Sequence, residues 1–445
     1  MTSQQTPYIL HIKIAGKVIG TLTLDKTTNQ LKLEYNQAWQ NEGFAISPHL
    51  PLNNIHQSTA AYNFLENSLP EGEARKLLAD NLGVSIKNIY PQIRALGKDL
   101  AGAVTFTPYE DDTSITTKPL FRHLTQTELE ARLDTKEQLG LLTWDNKPRL
   151  SVAGVQDKLN VFINQQNQIG FSDGSLCSTH ILKFEKKNCP NLVLNEYFCM
   201  KLSSAVGLPT AKVELASFGK HPALIVHRFD RKYQPDQQRV LRRHVIDGCQ
   251  ALNLATDSKY ERNLGDGRDV KHIRDGASLE KLFQFCQSMS SPAQSTQWLI
   301  NWQLFNLMIS NYDSHAKNVS LFFSKNSSEF TPAYDLVNIA MFPQFQHQLA
   351  MAIGDEFDPS NINAYQLADF AETCHINKKL LTRLLTQLAD KVINTLTNND
   401  FINELSQSND LSKEQLTYLN TLTDNTLAKT RHLQAQADLI VNIEV

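Results

Sequence analysis

Apolar and polar positions alternate from the start of the chain. Tyr8 to Ile14 and Val18 to Leu24 both carry this period of two, with Gly16 and Lys17 between them, which predicts an antiparallel hairpin. Leu31 to Tyr35 predicts a third strand. The period then lengthens. Tyr62 to Ser68 and Glu71 to Asn81 read as helices, the second opening at Pro70 and stopping at Gly83. Ala103 to Thr107 alternates again, and residues 109–118 (YEDDTSITTK) are polar with no apolar period, as expected of a linker closing a first subdomain.

Beyond the linker, Glu128 to Leu133 predicts a short helix, and Ser151 to Lys158 a loop of small residues. Leu159 to Ile163 predicts a strand that hairpins back through Gly170, and His180 to Phe184 another. Leu192 to Val206 has helical spacing and stops at Gly207 and Pro209. Ala211 to Ala216 and Ala223 to Val226 are strand-like around the turn Phe218 to His221. After about residue 245 the pattern is mostly helical, with helices over Leu279 to Met289 and Gln297 to Ile309 and apolar residues at three and four from Leu380 to Leu388 and from Leu411 to Leu439.

Composition narrows the function classes. A length of 445 residues suggests about two to four domains or subdomains. The net charge of −3 gives no overall cationic field, so a chain that grips nucleic acid along its whole length is not expected. Arg239, Arg242, Arg243 and His244 form a local basic cluster, for which a solvated loop or strand edge is the simpler reading. The six cysteines contain no CxxC pair, which argues against zinc, and a disulfide framework is not expected at this size. Neither a leader pattern nor a run long enough to span a bilayer is visible, so a cytoplasmic location is expected.

Five features carry chemistry. Asp313-Ser314-His315-Ala316-Lys317-Asn318 follows an apolar helical stretch and precedes Val319 to Phe323, an expected strand. Phosphoryl transfer needs a carboxylate beside the attacking hydroxyl and an oxygen ligand for a metal, and an Asp with an Asn five positions on is the spacing of a kinase catalytic loop. Taken alone, a capping Asp and a turn Asn account for the same letters. Asp335 follows the next strand, where kinases hold Mg²⁺. Ser151 to Lys158 is a candidate phosphate loop, although it has one Gly and a plain turn also fits. Lys183 lies on a strand after that loop, and Glu196 lies on the following helix, where a kinase places the carboxylate that steadies such a Lys. Leu224 to Asp230 is an apolar strand with a polar end, as a hinge against adenine requires. Each has a bland reading. Their order along the chain is that of a kinase site.

Several strings resemble the HipA family: LSVAGVQDK (Leu150 to Lys158), THILK (Thr179 to Lys183), NEY (Asn195 to Tyr197), RFDR (Arg228 to Arg231), DSHAKN (Asp313 to Asn318) and TPAYD (Thr331 to Asp335). Leu69 to Gly72 and the Gly97 to Val104 segment resemble that family's N-terminal subdomain, so the likeness spans roughly residues 8–440. It implies an α+β, two-lobed protein-kinase-like fold. The β-rich N-terminal lobe would carry an extra N-terminal subdomain, and the C-terminal lobe would be all-helical. The corresponding segments are 1–118, 119–230 for the lobe with the nucleotide loop and hinge, and 231–445 for the lobe with the catalytic loop.

The resemblance further implies a serine/threonine kinase toxin of a toxin–antitoxin module that uses ATP and Mg²⁺. Asp313 would be the catalytic base, and Asn318 and Asp335 the metal ligands. Ala153, Gly154, Val155, Gln156, Asp157 and Lys158 would cover the phosphates and Lys183 contact them, steadied by Glu196. His227, Arg228 and Phe229 would contact adenine, with His315, Lys317 and Tyr334 also lining the nucleotide site. Ser151 matches the family's autophosphorylated serine. The implied partners are a small helix-turn-helix antitoxin like HipB, DNA indirectly through it, and a protein substrate such as glutamyl-tRNA synthetase.

The chain departs from ordinary protein kinases. It has no GxGxxG, Asn311-Tyr312 precedes the loop Asp, Leu-Val follows Asp335, and His227 stands where an acidic residue is expected. A nucleotide-binding pseudokinase serving as a corepressor scaffold, or a small-molecule kinase on a related fold, would share many of these features.

Overall fold

The computed structural model describes residues 8–25, 27–28, 30–55, 58–109, 118–136, 141, 143–145, 147–149, 157–407 and 411–445. The first sheet is antiparallel in the order β3-β2-β1-β4, built from β1 (Ile9–Ile14), β2 (Lys17–Leu24), β3 (Leu31–Tyr35) and β4 (Val104–Pro108). Ala15 and Gly16 both take positive φ at the β1–β2 turn, as a tight primed turn requires. Gly20 permits the close approach of β3, because a Cβ there would collide with the Glu34 carbonyl. Between β3 and β4 come α1 (Gln37–Glu42), α2 (Ser58–Asn67), α3 (Gly72–Leu82) and α4 (Ile89–Leu96). The alternation seen in the sequence buries Leu10, Ile12, Leu22 and Leu33 against Phe64, Leu65 and Ile93 of the helices.

The second sheet has six strands in the order β11-β12-β10-β8-β9-β5. They are β5 (Leu120–His123), β8 (Lys158–Ile163), β9 (Ile169–Asp173), β10 (His180–Phe184), β11 (Val213–Phe218) and β12 (His221–His227). A short hairpin, β6 (Thr143–Trp144) with β7 (Lys147–Pro148), and α5 (Gln126–Asp134) precede β8. Leu159, Val161, Leu182 and Phe184 face one small core with Trp144 and Phe171. The helix α6 (Leu192–Ala205) packs on β11 and β12.

The rest is helical around two small sheets. β13 (Arg231–Gln234) pairs with β14 (Arg239–Arg242), and β15 (Val245–Asp247), β16 (Ser320–Phe323) and β17 (Ser328–Phe330) form a three-stranded sheet. Around them lie α7 (Gly248–Leu252), α8 (Leu279–Cys286), α9 (Pro292–Met308), α10 (Ala364–Thr373), α11 (Lys378–Thr397), α12 (Asn399–Gln407) and α13 (Lys413–Gln436). The helix α9 is apolar on nearly every face, and its Trp302, Leu304, Phe305 and Met308 are fully enclosed by α11 and α13. One apolar cluster runs from Leu10 in the first sheet to Phe305 and Leu388, so the N-terminal subdomain shares a core with the helical region. All six cysteines are free and buried. Among the described residues, no helix is long and apolar enough to cross a membrane.

Candidate active site

Helix α9 delivers the chain to the candidate catalytic loop. The chain reverses at Ser310, which adopts a left-handed conformation (φ 55°). Asn311 then fixes the geometry: its amide nitrogen donates to Asn306 Oδ1 (2.7 Å) and the Asp335 carbonyl (3.4 Å), while its oxygen accepts from the Asp313 N–H (3.3 Å). Asn318 closes the loop by donating to the Asp313 carbonyl at 2.9 Å. That bond uses the amide nitrogen and leaves the amide oxygen as the atom suited to a cation. The Asp313 carboxylate accepts a 2.7 Å hydrogen bond from the Tyr260 hydroxyl.

Lys183 stands between two carboxylates. Its ammonium lies 2.5 Å from Glu196 Oε1 and is paired with Asp335 Oδ1. Burial opposes its charge, but Asp335 and Glu196 more than offset this and hold the ammonium well above its ordinary range. Burial also works against the charge on Asp335, yet Lys183 and Lys158 pull its carboxyl down to about 2. Glu196 is fully buried, and burial outweighs the pull of Lys183, pushing it up to about 7. Burial brings Lys158 down to about 8. Asp335 itself has φ 57°, a left-handed conformation that Asp tolerates better than most residues.

Asp313, Asn318, Asp335, Tyr334, His315 and Lys317 line one cavity of about 650 Å³, whose far wall comes from the N-terminal subdomain. The structure thus brings the loop Asp, the loop Asn and the second Asp to one space. Asn318 and Asp335 offer hard oxygen donors, which suit Mg²⁺, an ion that keeps several waters and needs few protein ligands. Among the described residues, no cluster of three or more His, Cys, Asp or Glu offers a competing metal site.

Other expected residues stand differently. Ser151, Ala153, Gly154, Val155 and Gln156 lie outside the described residues. Asp157 pairs with Lys136 at 2.9 Å, and its carbonyl accepts from the Phe184 N–H. Lys317 lines the cavity, but its ammonium is held by the Asn67 carbonyl (2.8 Å) and Asp247 (2.7 Å), so it acts as a tie rather than as a free cation. Arg228, expected against adenine, is turned into the protein. Its guanidinium binds Asp230 and Ser178, its N–H donates to the Thr179 carbonyl, and its own carbonyl accepts from Arg231. The side chain's direction has a physical cause: a buried guanidinium needs a carboxylate, and Asp230 two residues on supplies it. Phe229 packs its ring on Phe322 and Tyr334. His227 lies between His180 (3.2 Å) and Glu214 (2.8 Å) of the adjacent strand, so a carboxylate stands beside the histidine at this position.

The sequence reading missed the braces behind the loop. Glu71, at the head of α3, reaches Lys259 at 2.5 Å and Lys317 at 3.9 Å. Burial would raise this carboxyl, but Lys317 and Lys259 hold it below the usual range. The string Leu69 to Gly72 marked this spot without giving its partner. Of the basic cluster, His244 alone is buried, with its ring on the Ile46 carbonyl. Arg239 and Arg243 are exposed and Arg242 is half-buried on and beside the two-stranded β13–β14 hairpin, as a strand edge implies, with Arg242 donating to the Lys98 carbonyl and Arg243 stacking 3.4 Å from the Phe322 ring centroid.

Comparisons with known proteins agree along the chain. The HipA N-terminal domain family matches residues 10–107 and the HipA-like C-terminal domain family matches residues 150–396. A serine/threonine-protein kinase toxin HipA of Shewanella oneidensis is 43% identical over 383 residues, covering 86% of this chain and 87% of its own. A putative kinase of Sinorhizobium fredii is 30% identical over 393 residues, covering 86% of this chain and 90% of its own. A solved complex of HipA, HipB and its operator DNA from a Shewanella oneidensis toxin–antitoxin system superposes with a TM-score of 0.89 at 39% identity, covering 98% of this chain and 100% of that one.

Proposed function

This chain belongs to the HipA family of serine/threonine kinase toxins, and we propose that its cavity binds ATP with Mg²⁺ and transfers the γ-phosphate to a protein hydroxyl. In this reading Asp313 takes the proton of the attacking hydroxyl while the new O–P bond forms and the bond from the γ-phosphorus to the leaving ADP oxygen breaks. Lys183, steadied by Glu196, turns from Asp335 toward the α- and β-phosphates, with Lys158 beside it. Asn318 and Asp335 hold the metal, which neutralises charge developing on the phosphates when bound. Tyr334 and His315 line the cavity, Phe229 packs against Tyr334 behind it, and in this reading these residues with His227 at the end of β12 form the adenine end. The chain divides at residues 1–118, 119–230 and 231–445 into an N-terminal subdomain, a nucleotide-loop lobe and a catalytic-loop lobe.

One observation carries this reading: two carboxylates and an amide five residues from the first open on one cavity, and the second carboxylate is bonded to a buried Lys–Glu pair. Purified protein incubated with labelled ATP, Mg²⁺ and a cell extract should label a protein band, and Asp313→Gln should abolish it. Unchanged labelling by the variant would sink the assignment.

The finer parts of the proposal rest on the family. The solved relative's complex supports a small helix-turn-helix antitoxin like HipB as partner, with DNA engaged indirectly through it. The substrate class is an aminoacyl-tRNA synthetase such as glutamyl-tRNA synthetase. Ser151 is the autophosphorylation site: a phosphate there adds close to two negative charges beside a loop that must hold phosphates, so nucleotide binding is lost. Mass spectrometry after incubation with ATP should find the phosphate on Ser151, and an unmodified Ser151 overturns that part.

A further inference from the structure

We infer that Tyr260 is a positioning residue for phosphoryl transfer, its hydroxyl fixing one oxygen of Asp313 so that the other faces the acceptor hydroxyl. The inference rests on the reading of Asp313 as the base. An Asp carboxylate rotates easily about its last torsion, and its two oxygens are chemically equivalent. Among the described residues, Tyr260 is the donor that reaches this carboxylate: Oη meets Oδ1 at 2.7 Å, and Oδ2 is left unbonded. Both residues line the same cavity. The hydrogen bond therefore breaks the symmetry of the base.

Tyr260 is itself held. Its ring meets the buried ring of His315 edge-on, with centroids 5.1 Å apart at 85°. The main chain around it is laced to the catalytic loop and its neighbours. The Lys259 carbonyl accepts from the Ala316 N–H (3.2 Å), the Ser258 carbonyl from Ala277 (2.8 Å), and the Glu261 N–H donates to the Ala350 carbonyl (2.9 Å). Gly276 is required beneath it, since a Cβ there would collide with the Tyr260 carbonyl. Burial and the neighbouring Asp313 push the phenol far above its ordinary range, so the hydroxyl stays a donor at any working pH. A donor this constrained suits preorganisation: a base must sit within hydrogen-bond reach of the proton it takes, and a misplacement of about 1 Å costs on the order of 10²-fold in rate.

Tyr260→Phe removes the hydroxyl and keeps the ring, whereas Tyr260→Leu removes both. The full-length variants, with Asp313→Asn and the double variant Tyr260→Phe/Asp313→Asn, are assayed for turnover, KM for ATP and thermal midpoint. The Phe variant should lose about 10–100-fold in kcat, with KM for ATP within about twofold and an unchanged midpoint. In the Asp313→Asn background, removing the hydroxyl should cause no further loss. Wild-type turnover in the Phe variant with a dead Asn variant would overturn the role of Tyr260 alone, and so would a rise in KM at constant kcat. Should the Phe variant keep full turnover while only the Leu variant fails, the ring packs and the hydroxyl positions nothing. Wild-type turnover in Asp313→Asn would instead overturn the assignment of the base.

Discussion

Lys183 and Glu196 meet at 2.5 Å, with the carboxylate fully buried. The same ammonium also pairs with Asp335, so a strand, a helix and a loop distant in sequence converge on one charge. The second oxygen of Glu196 has no partner among the described residues, which makes the pair sensitive to any change in its charge balance. This shared arrangement holds Lys183 ready while leaving Asp335 open to the cavity.

Removing Glu196 tests the pair. Glu196→Ala leaves the buried ammonium to Asp335 alone and should destabilise the fold by about 3–5 kcal/mol, the usual cost of breaking a buried ion pair from one side. Glu196→Gln keeps the shape and should cost less. In both, Lys183 is drawn onto Asp335 and kcat/KM for ATP should fall by on the order of 10²-fold. Urea unfolding and steady-state kinetics read the two effects separately.

A second prediction concerns the brace from the N-terminal subdomain. Glu71 neutralises Lys259, next to Tyr260, and approaches Lys317 inside the catalytic loop. Glu71→Gln should therefore reduce phosphoryl transfer although residue 71 is far in sequence from the loop, and should destabilise the protein by about 3 kcal/mol. Labelled-ATP assays and urea midpoints check it. A variant with full activity and an unchanged midpoint would show that the subdomain is merely attached.

What was legible in the sequence follows from the range of the interactions. Strands β1 to β3 and the helix α3 were visible because a local period marks them, and α6 and α9 because their apolar runs are too long for a strand, α6 also ending at Gly207 and Pro209. The helix Ile89–Leu96 was missed, and so was the β13–β14 hairpin, in which polar residues predominate. At the site, Asp313 and Asn318 were legible because one tight loop fixes their spacing. Tyr260, Glu71 and Glu214 were not, because each acts on a partner set by tertiary packing rather than by sequence distance. The direction of the Arg228 side chain was not legible for the same reason, since adjacency to a hinge says nothing of where a long side chain turns.

The acid limb of stability should depend on Asp335. Its carboxyl titrates near 2 in the folded chain, below its ordinary 3.8, so its charged form stabilises the fold. That contribution is complete above its unfolded value and disappears as pH falls from about 4 to about 2. Asp335→Asn should flatten this part of the urea-midpoint profile and lose transfer activity. An unchanged acid limb would show that the pairing with Lys183 does not govern it.

Arg228 gives the last prediction. If it served adenine, its loss would raise KM for ATP and leave stability alone. The structure assigns its guanidinium to Asp230 (3.0 Å) and Ser178 (2.8 Å), while Asp230 also accepts from Arg231 (2.5 Å) and from the Gly102 N–H (2.8 Å). Burial works against the charge on Asp230, yet Arg228 and Arg231 hold its carboxyl far below the usual range. These buried charges tie the Gly97 to Val104 segment to the end of β12, since Arg231 also reaches the Leu100 carbonyl at 2.6 Å. Arg228→Met should thus destabilise by about 3–5 kcal/mol, and the folded fraction should keep its KM for ATP within about twofold. Calorimetry with a nucleotide titration distinguishes the two roles: a stable variant with weakened ATP binding would return Arg228 to the nucleotide site.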